Sequence, residues 1–137
     1  MNWIDVENIC NSLINKIEDI DCVVGIAKGG MIPATIVATL LKQDQLYSIG
    51  YRSYSDKKKG RLKQTVTVHQ DLKNKKILLV DDISATGHTL KRAKKDLEKL
   101  GNKVKTLTLN RSLYTDHIPD YCGTIETKWV EYPWENN

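Results

Sequence analysis

The sequence predicts an α/β fold of three layers, a mostly parallel central sheet flanked by helices. Two observations carry this. Short apolar runs alternate with longer segments of helical period, and the two most apolar runs end in loops of glycine or acid followed by a helix. Strand–helix alternation of that kind favours parallel strands with helices on both faces. At 137 residues and 40% hydrophobic, the chain supplies one core, so residues 1–137 are read as a single domain.

In chain order, Trp3, Val6, Ile9, Cys10, Leu13, Ile14 and Ile17 recur at helical spacing, which predicts an amphipathic helix over 3–18. Asp21–Ala27 is a short buried strand, broken by Lys28-Gly29-Gly30. Residues 31–42 return to helix, with Pro33 in the first turn, where its missing N–H costs nothing. Leu46–Arg52 is the next strand, and the polar, Lys-rich stretch from Ser53 to Gln64 is a loop. Thr65–His69 alternates as a strand, and Lys76–Val80 is the central one. Residues 88–100 form a helix whose apolar face is Leu90, Ala93, Leu97 and Leu100, with Gly101 at its C-cap. Val104–Leu109 is a further strand. The run Thr127–Glu135, with three aromatics and a proline, is a tail folded onto the core or a small C-terminal hood.

Composition excludes several classes. No stretch reaches the ~20 apolar residues of a membrane-spanning helix. The opening MNWIDVENIC lacks a basic region before an apolar run, so no secretory leader is expected. Cys10, Cys22 and Cys122 are odd in number and lack metal-ligand spacing. They read as reduced core residues of a cytoplasmic protein. A net charge of +4 suits a small polyanionic substrate and is too low to argue for nucleic acid.

The chemistry concentrates in Ile77–Leu90. Four apolar residues deliver Asp81 and Asp82 to a sheet edge, and Thr86-Gly87 leads into a helix. Helix N-termini bind anions through their free N–H groups and dipole. Two acids beside such a cradle make sense with two further partners, ribose hydroxyls and Mg²⁺. A second loop, Gly25–Ala34, places two glycines and Lys28 after a strand. Taken alone it is either an ordinary strand-to-helix turn or a close backbone approach to a ligand. Lys57–Lys59 read as a solvated loop tip, and His69 and His117 as structural or solvent-facing.

The Ile77–Leu90 segment resembles the 5-phosphoribosyl-1-diphosphate (PRPP) signature of type I phosphoribosyltransferases. Trp129-Val130-x-x-Pro133-Trp134-Glu135, together with Pro119–Tyr121 and Trp3, is similar to the xanthine–guanine (6-oxopurine) group. The resemblance implies Mg²⁺-dependent transfer of ribose 5-phosphate from PRPP to a purine base, with release of diphosphate. It implies Asp81 and Asp82 on the ribose hydroxyls and the metal, and Ala85, Thr86, Gly87, His88 and Thr89 around the 5′-phosphate. Lys28, Gly29 and Gly30 would face the diphosphate after a cis peptide at Ala27–Lys28. Ser53 and Tyr54 would open a lid, and Arg111, Trp129 and Val130 would contact the base. It also implies a homodimer or homotetramer.

Two positions depart from the 6-oxopurine pattern. Ala85 stands where an Asp usually handles the proton of the purine's five-membered ring, and Arg111 stands where a Lys meets the 6-oxo oxygen. These leave open a PRPP- or nucleotide-sensing regulator without turnover, or a transferase for adenine or orotate, although the C-terminal run argues against the last two.

Overall fold

The computed structural model describes residues 1–53 and 61–135. Its elements are α1 (Trp3–Ile14), β1 (Cys22–Ala27), α2 (Met31–Leu40), β2 (Leu46–Ser53), β3 (Leu62–Val66), β4 (Lys76–Ser84), α3 (His88–Glu98), β5 (Lys103–Ser112) and β6 (Tyr121–Glu126). A 3-10 turn, Pro133–Glu135, follows. The strands form one sheet in the order β3-β2-β1-β4-β5-β6. Among the described residues, the β2–β3 pair is antiparallel and the other four pairings are parallel. The expected α/β fold with a mostly parallel sheet is present.

Alternation of side chains along the strands divides the core in two. On one face Val23, Leu78, Val80, Leu107 and Leu109 pack against Val6, Cys10 and Leu13 of α1 and Ala34, Val37 and Ala38 of α2. On the other, Val24, Ile26, Ile77 and Leu79 meet Leu90, Ala93 and Leu97 of α3, with Leu72 closing the layer. Both faces of β4 are therefore covered, which is why its sequence is continuously apolar. Cys10 and Cys22 lie in these cores, where burial pushes each thiol up to about 11. No helix among the described residues is long and apolar enough to cross a membrane.

Helix ends follow local chemistry. The Asn2 side chain accepts from the Asp5 N–H at 2.8 Å, and the Asn2 N–H donates back to the Asp5 carboxylate at 2.9 Å, a reciprocal cap on α1. Gly101, at φ 82°, donates to the Glu98 carbonyl just beyond α3, and a β-carbon there would lie 2.1 Å from Asn74 Oδ1.

Several expected boundaries move. α1 stops at Ile14, where the N–H groups of Lys16 and Ile17 turn back to Leu13 and Ile14. Ile17 still packs on the core, from the connection rather than the helix, so its apolar spacing extended the expected helix too far. β3 begins at Leu62, three residues before the expected Thr65, because it pairs with the distal end of β2. β4 runs on to Ser84, so Asp81 and Asp82 stand inside the strand. β5 supplies the reason, pairing with β4 as far as Ser84↔Arg111. β6 was not expected at all; its short, Gly-containing sequence carries no alternation, and β5 alone recruits it.

Candidate functional site

The carboxyl ends of β1, β4 and β5 meet at one edge of the sheet, the edge where open parallel sheets bind ligands. β4 brings Asp81 and Asp82 there. Its pairing with β1 ends at Gly25↔Val80, while pairing with β5 continues, so the acids stand where the sheet opens on one side. The Asp82 N–H donates to Asp81 Oδ1 at 2.8 Å, and the Ile83 N–H to Asp82 Oδ1 at 2.7 Å. None of the ion pairs among the described residues involves either carboxylate. Burial raises the pKa of both, and at Asp81 the Asp82 charge adds to the shift. Among the described residues, no ion pair offsets these two crowded acids.

The glycine loop after β1 packs directly on this pair. The Ala27–Lys28 peptide is cis, as the resemblance implied. A β-carbon on Gly29 would lie 2.2 Å from Asp82 Oδ2, so only glycine leaves the carboxylate where it is. A β-carbon on Gly30 would meet the Ile26 carbonyl at 2.6 Å, the Val80 carbonyl at 2.7 Å and Asp81 Cα at 2.9 Å. The two motif loops, separated by fifty residues of chain, thus form one surface. Lys28 stands exposed beside it.

The third side is the turn from β4 into α3. Gly87 takes φ 91°, and no side chain caps the helix it begins. A β-carbon on Gly87 would fall 2.6 Å from the His117 N–H nitrogen. Ser84 Oγ donates to the His117 carbonyl at 2.8 Å, and the Asp116 N–H to the Thr86 carbonyl at 2.9 Å. The β5–β6 connection therefore braces the turn from behind, leaving Ala85, Thr86 and His88 exposed in front and Thr89 half-buried. The His88 N–H is turned to Thr86 Oγ1 at 3.2 Å, and its ring lies 3.7 Å from Asp116. His117, half-buried behind the turn, has its pKa lowered chiefly by that burial.

The remaining expected residues are more dispersed. Ser53 ends β2, opposite Leu62. Tyr54 and Lys57–Lys59 lie outside the described residues. Arg111 pairs with Ser84 in the strand register, beside the turn, and its guanidinium donates to the Ser112 carbonyl at 3.3 Å. Trp129 is 83% exposed. With Val130 it lines a cavity of about 500 Å³ shared with Met1, Asp5, Ile9, Thr124 and Glu131. None of the acid-pair, glycine-loop or turn residues lines that cavity.

Sequence reasoning missed Tyr132. It is 2% exposed, its ring stacks on Trp134 at 4.9 Å, and its hydroxyl meets both Asn110 Oδ1 at 2.7 Å and the Asp82 carbonyl at 3.1 Å. Burial, with the charges of Asp82 and Asp81 behind it, raises its pKa and keeps it a donor. A tyrosine in an aromatic tail gives no local sign of the strand it will reach.

Among the described residues no group of three or more His, Cys, Asp or Glu could hold a metal ion. The donor set is two half-buried carboxylates where β4 has lost β1 as a neighbour. That suits Mg²⁺, which keeps several waters and is commonly held by one or two carboxylates together with a substrate's phosphates. The uncapped start of α3 presents N–H groups of the kind that bind phosphates, whereas the Gly30 N–H is engaged by the Ile26 carbonyl at 2.8 Å.

The model for the phosphoribosyl transferase domain matches residues 3–134. An orotate phosphoribosyltransferase of Saccharolobus solfataricus is 34% identical over 105 residues, covering 75% of this chain and 50% of that protein. A xanthine-guanine phosphoribosyltransferase of Chromohalobacter salexigens is 26% identical over 132 residues, covering 96% and 77%. The chain thus spans about half the length of the first relative and about three quarters of the second. The crystal structure of a purine phosphoribosyltransferase from Pyrococcus horikoshii superposes with a TM-score of 0.88 at 31% identity, covering 100% of this chain and 93% of that one.

Proposed function

The chain belongs to the phosphoribosyl transferase domain family, and from that membership we propose that it transfers ribose 5-phosphate from PRPP to a 6-oxopurine, releasing diphosphate in a Mg²⁺-dependent reaction. The observation that carries this reading is the contact of Asp82 with Gly29, which joins the acid pair and the glycine loop into one surface beside the start of α3. A sugar bearing a phosphate at one end and a diphosphate at the other needs three such elements side by side.

In this reading Asp81 and Asp82 accept from the ribose hydroxyls and hold the metal. The backbone of Ala85–Thr89 binds the 5′-phosphate, and Lys28, Gly29 and Gly30 the diphosphate. Bound Mg²⁺ offsets the charge of the acids and of the leaving diphosphate. The protein's own contribution is orientation and fixed charge at the developing ribosyl cation. No nucleophile–base pair is required for direct displacement. Arg111 offers donors to an oxo group, while Trp129 and Val130, expected as an apolar face for the base, line a cavity that none of these groups shares. A cytoplasmic homodimer or homotetramer accompanies this reading.

Ala85 bears on rate. It cannot take a proton, so an oxopurine here lacks a carboxylate near its five-membered ring, help worth roughly 10²–10⁴ in rate. The expected result with PRPP, Mg²⁺ and a panel of bases is slow diphosphate release with hypoxanthine, guanine or xanthine and none with adenine. Ala85→Asp raises the rate with the preferred oxopurine. Similarity to an orotate enzyme over 75% of the chain gives orotate a place in the panel. Rapid turnover of adenine or orotate with every oxopurine inert overturns the base assignment. PRPP binding without release of diphosphate to any base indicates a sensor instead.

A further inference from the structure

Tyr132 lies on the C-terminal segment but reaches into the sheet. Its hydroxyl meets the carbonyl of Asp82 at 3.1 Å and Asn110 Oδ1 at 2.7 Å, so one phenol hydrogen faces two acceptors. Asn110, fully buried on β5, in turn donates to Thr124 of β6, and Thr124 Oγ1 donates to Glu126 at 2.9 Å. The Tyr132 N–H donates to Glu135 at 2.9 Å, and Trp134 stacks on the ring. A continuous polar chain therefore crosses β6 and β5 and ends on the peptide of Asp82. That peptide sits beyond the point where β4 loses β1 as a neighbour. The same segment carries Trp129 and Val130, three and two residues earlier.

We propose that Tyr132 is a positioning residue: its hydroxyl fixes the Asp82 peptide and ties the C-terminal segment to the acid pair, so that affinity for Mg²⁺–PRPP depends on a side chain outside the PRPP-binding loops. This rests on the assignment of Asp82 to PRPP. The carboxylate of Asp82 is contacted at both of its oxygens. One oxygen is already taken by the Ile83 N–H, and the other lies against Gly29. A small rotation of its peptide moves both contacts at once. Loss of a buried tyrosine hydroxyl is thereby transmitted to the ligand site.

The test is calorimetric titration of Mg²⁺–PRPP into the full chain, its Tyr132→Phe and Asp82→Asn variants, and the double variant, with circular dichroism confirming folding. Tyr132→Phe is expected to weaken binding roughly three- to tenfold, the range set by one hydrogen bond. In the Asp82→Asn background the same change is expected to have no further effect, since it acts through Asp82. A merely structural role gives equal losses in both backgrounds and overturns the proposal. Trp134→Phe, which trims the stacked ring but keeps the hydroxyl, is expected to leave affinity unchanged; an equal loss there assigns the effect to packing and also overturns it. An Asp82→Asn protein that binds like the parent sinks the functional reading itself, and Tyr132 with it. A weakened Asp82→Asn beside an unchanged Tyr132→Phe removes Tyr132 alone.

Discussion

Asp81 and Asp82 show what two crowded, half-buried carboxyls cost a fold. Burial raises both carboxyls, and none of the ion pairs among the described residues offsets them. A carboxyl whose pKa is higher in the folded state than in the unfolded chain costs stability once pH exceeds the unfolded value, and the full cost stands above the folded value. Removing one charge is therefore expected to stabilise the ligand-free protein. Asp82→Asn keeps the oxygen that accepts from Ile83 and should raise the melting temperature at pH 7. The gain should shrink as pH falls toward about 4, where unfolded carboxylates titrate. A lower melting temperature at pH 7 would show the pair to be a structural asset. These two acids were legible in the sequence because an apolar strand points at them. Asn110 and Tyr132 were not, since their contacts cross 22 and 50 positions of chain and leave no local pattern.

The loop between β1 and α2 separates two uses of glycine that the sequence writes identically. At Gly29 a β-carbon would strike the free end of the Asp82 carboxylate, which can swing away. At Gly30 it would strike two backbone carbonyls and Asp81 Cα, which cannot. Gly29→Ala is expected to keep the fold and melting temperature while weakening Mg²⁺–PRPP binding more than tenfold, because Asp82 is displaced. Gly30→Ala is expected to lower the melting temperature as well. Thermal melts beside titrations separate the two, and equal behaviour of the variants would argue against the packing described. Strands were most legible where burial imposed a pattern. β1 and the apolar part of β4 are covered on both faces and were found. The last residues of β4 and all of β6 are strand because β5 continues beside them, and pairing of that kind is invisible in a local window.

Taken across the molecule, the sheet gathers loops from three strands at one edge. The turn into α3 is braced by the β5–β6 connection, and the acid pair by the glycine loop and Tyr132. Each group proposed to face the ligand is thus held by a different part of the chain. Such an arrangement is suited to catalysis by positioning. The residues proposed to meet the base are less enclosed, with Trp129 exposed and Arg111 turned to a neighbouring carbonyl. Under the proposed function, the hold on the phosphorylated sugar is therefore better defined than the hold on the base. Titration of PRPP into the protein by calorimetry, with and without Mg²⁺, bears on that division most directly. Tight binding that requires Mg²⁺ is the expected result. Identical affinity in the presence and absence of Mg²⁺, or no binding in either, would contradict the assignment of the acid pair and the surface built around it.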